Sequence, residues 1–89
     1  MSTDKETLLE FPCDFPIKVF GLAQQGFAQA VAEVVQRHDR GFDAATLEMR
    51  SSSGARYLSL TCTVRATSRA QLDALYQELS AHPMVKMVL

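Results

Sequence analysis

The sequence predicts an α+β sandwich in which two helices cover one face of a four-stranded antiparallel sheet. Two hydrophobic periods carry this prediction. In three segments apolar residues alternate with polar ones, which is typical of half-buried strands, and in two others they recur at helical spacing. With a short apolar segment at the end, the order is strand, helix, strand, strand, helix, strand. With right-handed crossovers this order gives the ferredoxin-like βαββαβ fold, with strands one and three in the centre.

Composition limits the function classes. The chain has 89 residues, so it is expected to form one domain, and 47% of them are hydrophobic. Nine basic and ten acidic side chains give a net charge of −1, which argues against a typical, strongly basic nucleic-acid binder. The sequence contains no apolar run of about 18 residues and begins with a polar stretch. We therefore expect a cytoplasmic protein without a membrane partner.

Residues 1–14 are expected to form a partly disordered N-terminal segment ahead of a single ferredoxin-like domain over residues 15–89. Pro12 and Pro16 argue against a continuous helix or a central strand in this region. The segment also carries apolar side chains, which we expect to pack against the body as a turn or short helix. These side chains are Leu8, Leu9 and Phe11.

The first strand and the first helix follow each other directly. Residues 15–21 alternate, and Gly21 is expected to close the strand. Its inward residues are Phe15, Ile17 and Val19, and its outward residues are Lys18 and Phe20. From residue 27 the period becomes helical, and Asp39-Arg40-Gly41 supplies a stop. The predicted inner face of this helix is Phe27, Ala30, Val31, Val34 and Val35.

The next two strands are predicted to form a hairpin around the turn-forming residues 51–54. In the first of them, residues 46–50, Leu47 and Met49 should point inward. The second, residues 57–66, alternates most regularly. Its inward residues are Leu58, Leu60, Cys62, Val64 and Ala66, and its outward residues are Tyr57, Ser59, Thr61, Thr63 and Arg65.

The second helix begins with a capping box, in which Ser68 is the N-cap and Gln71 follows three residues later. Its inner residues are Leu72, Leu75, Tyr76 and Leu79. Pro83 ends the helix, and residues 84–89 form a short apolar strand at an edge of the sheet. An apolar edge can pair with another chain, so this strand predicts a homodimer, with the monomer as the open alternative.

Several runs in the sequence resemble the YbeD-like family of small bacterial proteins. They lie at residues 8–12, 18–21, 34–38, 75–79 and 87–89, and the resemblance extends from about residue 8 to the end. The family has no established activity, so it implies no catalytic or binding residues. Its fold resembles the ACT regulatory domain, which implies an effector site where strand one meets helix one. One departure concerns the hairpin turn, because Gly54 and Tyr57 are three residues apart where the family tends to have two.

Nothing in the sequence predicts an enzyme, a cofactor or a metal site. His38 and His82 lack ligand residues at metal-binding spacing, and Cys62 is expected to face the core. His38, at a helix end, should interact with the last carbonyls of its helix. Cys13 and Cys62 are expected to remain free thiols. Serine is a common turn residue, so Ser51, Ser52 and Ser53 are explained by the predicted turn. The sequence indicates no general base that would activate one of them as a nucleophile.

A small amino-acid-like effector is predicted to bind at the turn from Gly21 to Gly26. The glycines permit close backbone approach, and the helix that follows has no Ser, Thr, Asp or Asn to cap its first N–H groups. A carboxylate or phosphate can take those donors, although water or a glutamine side chain can do so as well. The predicted site residues are Gly21, Leu22, Gln24, Gln25 and Gly26.

The leading hypothesis is thus a non-enzymatic regulatory module that binds an effector and acts in trans. The alternative is a protein-interaction adaptor that uses the open face of the sheet for a protein partner not yet known. Its predicted contact residues are Phe20, Tyr57, Thr61 and Arg65. Nucleic acid is a weaker alternative, because strand three carries Ser59, Thr61 and Thr63 where a second stacking aromatic is expected.

Overall fold

A computed structural model describes residues 10–89. It contains, in chain order, β1 (Cys13–Leu22), α1 (Phe27–His38), β2 (Glu48–Ser51), β3 (Tyr57–Ala66), α2 (Arg69–Ala81) and β4 (Met87–Val88). Two short 3-10 turns, Ala44–Thr46 and Ser53–Ala55, lie on either side of β2. The sheet order is β2-β3-β1-β4 and every pairing is antiparallel. The predicted ferredoxin-like fold is confirmed, with β1 and β3 in the centre.

β1 begins earlier than predicted and contains Pro16, which pairs in register with Thr63. The expectation that the prolines exclude a central strand is therefore wrong. The reason lies in the direction of the backbone. Lys18 donates its N–H to the Leu89 carbonyl on the β4 side, at 3.1 Å, so the nitrogen of Pro16, two residues earlier, also points away from β3. Because the backbone bonds between β1 and the β4 segment end at Lys18 and Leu89, the missing N–H of Pro16 costs no ladder bond.

The segment before β1 is described only from Glu10 onward, so the expected packing of Leu8 and Leu9 lies outside the described residues. Phe11 is 36% exposed, and residues 11–12 form a bend. The predicted turn at this point is present, and Phe11 is only partly covered.

One hydrophobic core lies between the sheet and the two helices. Most of the predicted inner residues of β1, β3 and both helices are fully buried, among them Ile17, Phe27, Leu60 and Leu75. Among the exceptions, Phe15, Leu58 and Tyr76 are half-buried and pack against the edge of the core. In α1 the structure places Ala32 in the core, whereas Ala30 is only half-buried. The apolar stripe of α1 is therefore rotated slightly from the predicted one.

Met49 points to the inward face as predicted, but it is 62% exposed and not part of the core. It pairs with the buried Leu60 and thus lies on the helix-covered face of the sheet. β2 is the edge strand, however, and α1 leaves this edge uncovered. A groove of about 380 Å³ remains there, lined by Ala28, Gln29, Ala32, Glu33, Gln36, Ala44, Leu47 and Met49.

The two helices begin differently. Ser68 caps α2 by accepting the Gln71 N–H at 3.0 Å, which confirms the predicted cap. The Gln71 side chain accepts from the N–H of Thr67 at 2.6 Å, one residue before the N-cap, and donates to the His38 carbonyl at 2.7 Å. It thereby connects the start of α2 to the end of α1. α1 begins after Gly26, which has a φ of 87° and no side-chain cap.

Candidate functional site

Gly21, the first residue of the predicted effector site, is buried inside β1. A Cβ built on Gly21 would lie 2.6 Å from the Phe27 ring and would also collide with the Met84 carbonyl oxygen. Gly21 lacks a side chain because the Phe27 ring and the Met84 carbonyl occupy that space, which leaves no room there for a ligand. The predicted role of Gly21 as an open approach for an effector is corrected accordingly, and the candidate site narrows to residues 22–26.

The rest of this turn is at the surface. Leu22 is 38% exposed, and Gln24 and Gln25 are exposed. The Ala23 N–H donates to the Arg56 carbonyl at 2.8 Å, which extends the β1–β3 ladder by one pair and fixes the turn against the hairpin end. Gly26 lies in the left-handed region, and a Cβ there would meet nothing within 4 Å.

The start of α1 is a donor-rich surface. The Phe27 N–H makes a long bond of 3.3 Å to the Gln24 carbonyl, and no side chain among residues 10–89 caps the helix. There is no acidic residue in the first turn of α1. The positive end of the helix dipole is therefore not neutralised locally, and an anionic group placed beside Gly26 would be stabilised by it.

The open face of the sheet carries the second set of predicted residues. Phe20 is half-buried, and its cross-strand neighbours are Ser59 on β3 and Met87 on β4. Tyr57 is 45% exposed and pairs with Leu22. These four apolar side chains, Phe20, Leu22, Tyr57 and Met87, occupy the hairpin end of the face, and we call them the apolar patch.

The polar members of the predicted set lie elsewhere on the same face. Thr61 stands between Lys18 and Glu48, and a cavity of about 270 Å³ opens there. Arg65 is near the opposite end of β3, where its guanidinium pairs with Asp14 at 3.1 Å. The structure thus brings Phe20 and Tyr57 together, whereas Thr61 lies farther along β3 and Arg65 is separated from the apolar patch.

A cluster of charged and polar side chains that the sequence did not predict lies between the helices. Glu78 of α2 accepts from Arg37 Nε at 3.0 Å and lies 2.7 Å from His38 Nε2, so His38 contacts Glu78 and not, as predicted, the carbonyls of its own helix. These bonds from Arg37 and His38 lower the pKa of Glu78. The partners are 40 and 41 residues apart in sequence. A pattern of neighbouring residues in the sequence cannot predict a contact over this separation.

The thiols occupy different environments. Cys62 is buried opposite Ile17, and burial raises the pKa of its thiol to about 11, which makes it a poor nucleophile. Cys13 is half-buried at the start of β1 opposite Ala66, and both thiols are free. Over residues 10–89, no three His, Cys, Asp or Glu side chains are grouped in a way that would hold a metal ion. Within the same range, no helix is long and apolar enough to cross a membrane.

Comparison with known proteins identifies a family, several similar sequences and two structures with a similar fold. A family model described as a protein of unknown function, DUF493, matches residues 6–89. A UPF0250 protein of Nitrosomonas europaea is 59% identical over 85 residues, covering 96% of this chain and 98% of its own length. A UPF0250 protein of Paraburkholderia phytofirmans is 54% identical over 89 residues, which is the full length of both chains.

Two solved structures share the fold at low sequence identity. The solution structure of a protein from H. pylori matches with a TM-score of 0.74 and 18% identity, covering 91% of this chain and 85% of that one. The crystal structure of the ACT domain from GTP pyrophosphokinase of Chlorobium tepidum matches with a TM-score of 0.58 and 17% identity, covering 86% and 97%. At sequence identities of 17% and 18%, these two structures show that the fold is shared and nothing more.

Proposed function

The chain belongs to the DUF493 family of proteins of unknown function, and we propose that it is a non-enzymatic regulatory domain that binds a small anionic or zwitterionic effector. The curated relatives carry the UPF0250 name, the family that includes YbeD, so the resemblance seen in the sequence is confirmed. The fold is ACT-like. We place the proposed activity in the cytoplasm and in trans, on a separate protein.

The observation that carries the proposal is the uncapped, exposed start of α1 at Gly26. A carboxylate there would accept from N–H groups of the first helical turn and interact favourably with the helix dipole. The exposed Gln24 and Gln25 can donate or accept further hydrogen bonds. In the ACT domains that the sequence resembles, effectors occupy this same junction. The bond from Ala23 to the Arg56 carbonyl holds the turn in place before any ligand arrives.

Thermal unfolding in the presence of the L-amino acids, each at millimolar concentration, tests this function. An effector that binds only the folded chain must raise the melting temperature. The informative variant is Gln29→Glu, which keeps the shape of an exposed side chain and adds a negative charge in the first turn of α1. That charge favours the helix but repels an anion, so the variant should be at least as stable as wild type and lose the ligand-induced shift.

Gln77→Glu is the matched control, because it makes the same change at an exposed site in the later half of α2. It should keep the wild-type shift. If no amino acid stabilises the wild type, or if Gln29→Glu responds as fully as Gln77→Glu, the proposed site is wrong.

The apolar patch favours a second candidate function, that of a protein-interaction adaptor. Tyr57, Met87 and Leu22 are 45%, 48% and 38% exposed on one end of the open sheet face. Apolar and aromatic side chains gathered in this way are typical of the centre of a protein interface. Tyr57→Ala should weaken capture of such a partner and leave any amino-acid-induced shift unchanged, whereas Thr63→Ala, exposed farther along β3, should affect neither.

A further inference from the structure

Within residues 10–89, β2 has one backbone edge with which no strand pairs. It pairs with β3 on one side, and it is the terminal strand of the sheet. The Ser52 N–H donates to the Tyr57 carbonyl at 2.9 Å, which continues the register of β2 with β3 by one pair. Because hydrogen-bonding direction alternates along a strand, Met49 and Ser51 direct their N–H and C=O groups away from β3. Leu47, just before β2, also directs its carbonyl outward, but its N–H already donates to the Ala44 carbonyl at 3.2 Å. Such a row of free groups is a template for another strand.

An exposed apolar side chain stands at the middle of this edge. Met49 is 62% exposed although it lies on the helix-covered face, and it borders the groove of about 380 Å³ between β2 and α1. The small side chains Ala28, Ala32 and Ala44 on the groove wall leave it shallow and partly apolar. A neighbouring chain paired with β2 would place its own side chain beside Met49 and cover this groove.

The other edge of the sheet offers much less. β4 contains only Met87–Val88, and the backbone bonds between Leu89 and Lys18 extend its pairing with β1 by one residue. The predicted self-association through the terminal strand would therefore use a shorter strand than β2. β2 has four residues in its ladder and a regular register with β3 throughout.

The charges on β2 are self-complementary in one register. Glu48 and Arg50 flank Met49 and both point to the open face, since they pair with the outward Thr61 and Ser59. If two copies of β2 pair antiparallel about Met49, each Glu48 stands opposite the partner's Arg50. A shift centred on Glu48 would place the two Glu48 carboxylates opposite each other, and one centred on Arg50 would oppose the two guanidinium groups. Directly opposed like charges destabilise a sheet.

We propose that two copies of this chain associate through β2, antiparallel, with Met49 on the twofold axis. In this register the outward N–H and C=O groups of Met49 meet those of the partner's Met49 and exchange two hydrogen bonds. Glu48 and the partner's Arg50 then form a non-hydrogen-bonded pair, where cross-strand side chains are closest. The two sheets join into one of eight strands, and the contact is isologous and closed. The inference does not rest on the proposed effector site.

In residues 10–89, neither Glu48 nor Arg50 forms an ion pair or side-chain hydrogen bond within the chain, so both are available to the partner. Sedimentation equilibrium over protein concentrations up to about 1 mM measures the dimer directly. The wild type should dimerise. Glu48→Arg alone and Arg50→Glu alone should each weaken dimerisation by about tenfold or more, because each opposes like charges twice. An equimolar mixture of the two variants restores opposite charges at both positions and should associate as strongly as wild type.

Lys86→Glu is the control for the other edge, since Lys86 is exposed beside β4. It should leave the wild-type dissociation constant unchanged. Circular dichroism of each variant shows whether it is folded. Recovery of association in the mixture would also show that weak association of the single variants is not caused by misfolding. A monomeric wild type, a mixture that fails to recover association, or a loss of association in Lys86→Glu would each overturn the proposal.

Discussion

At the scale of single residues, the direction in which a side chain points decides what a substitution costs. Leu60 and Thr61 are neighbours on β3, yet Leu60 is fully buried under the helices and Thr61 is only half-buried on the open face. Burial of a leucine in a close-packed core involves both transfer from water and the filling of space. The two residues therefore separate the two faces of the sheet experimentally.

We expect Leu60→Ala to lower the free energy of unfolding by about 2–5 kcal/mol, because it removes buried methyl groups and leaves a cavity. Thr61→Ala should cost far less, since its hydroxyl faces the open side of the sheet. Urea denaturation of both variants measures the difference. Equal losses at the two positions would show that the assignment of faces is wrong.

Gly21 provides a second residue-scale prediction. Its missing side chain leaves room for the Phe27 ring and the Met84 carbonyl, so Gly21→Ala should destabilise the fold by about 1–3 kcal/mol through overpacking. Gly41→Ala is the matched control, because a Cβ there would meet only Asp39 Oδ1, at an ordinary 3.7 Å. It should be neutral or slightly stabilising. Comparable destabilisation of the two variants in urea would contradict the packing role given to Gly21.

At the scale of elements, the two helices are joined at one end by polar groups as well as by the core. Glu78 of α2 binds Arg37 and His38 of α1, and Gln71 of α2 donates to the His38 carbonyl. The Glu78 side chain is 36% exposed, so water screens the ion pairs and their contribution is modest. The last turn of α1 is nevertheless held to α2 at three points.

This cluster predicts a dependence of stability on pH. Arg37 and His38 lower the pKa of Glu78 in the folded chain, so the stabilising effect is present above the ordinary carboxyl pKa and is lost as the pH falls through the lowered one. The stability advantage of wild type over Glu78→Gln should therefore shrink between about pH 5 and pH 3. Urea titrations at several pH values measure it, with the exposed Glu33→Gln as control. An advantage that grows on acidification would contradict the cluster.

At the scale of the whole molecule, hydrophobic periodicity was sufficient for the fold. Alternation over 57–66 and helical spacing from Phe27 and Leu72 placed the core, and the order of elements gave the sheet order with β1 and β3 in the centre. The features that the sequence did not predict depend on how the elements pack against each other. Pro16 is tolerated because β4 stops short of it, and Met49 is exposed because neither α1 nor α2 covers the sheet at β2. Neither fact is encoded in a local pattern.

Only part of the candidate site could be predicted, because the rest depends on contacts between residues that are distant in sequence. The missing cap of α1 is visible in the sequence, and the structure retains it at Gly26. The role of Gly21 was not predictable, because Phe27 and Met84 reach it only after the helix and the segment before β4 fold back onto β1. On the open face, the pairing of strands brings Phe20 and Tyr57 to one end and leaves Arg65 with Asp14 near the other.

An amide chemical-shift titration shows whether the exposed start of α1 binds a small anionic or zwitterionic ligand. Isotope-labelled protein is titrated with a panel of amino acids and small carboxylate metabolites at millimolar concentration. We predict that at least one compound saturably shifts the amides of residues 21–28, while those at the far end of the sheet, around Arg65, stay in place. If no compound moves the amides of residues 21–28, the effector function is contradicted and the adaptor function takes its place.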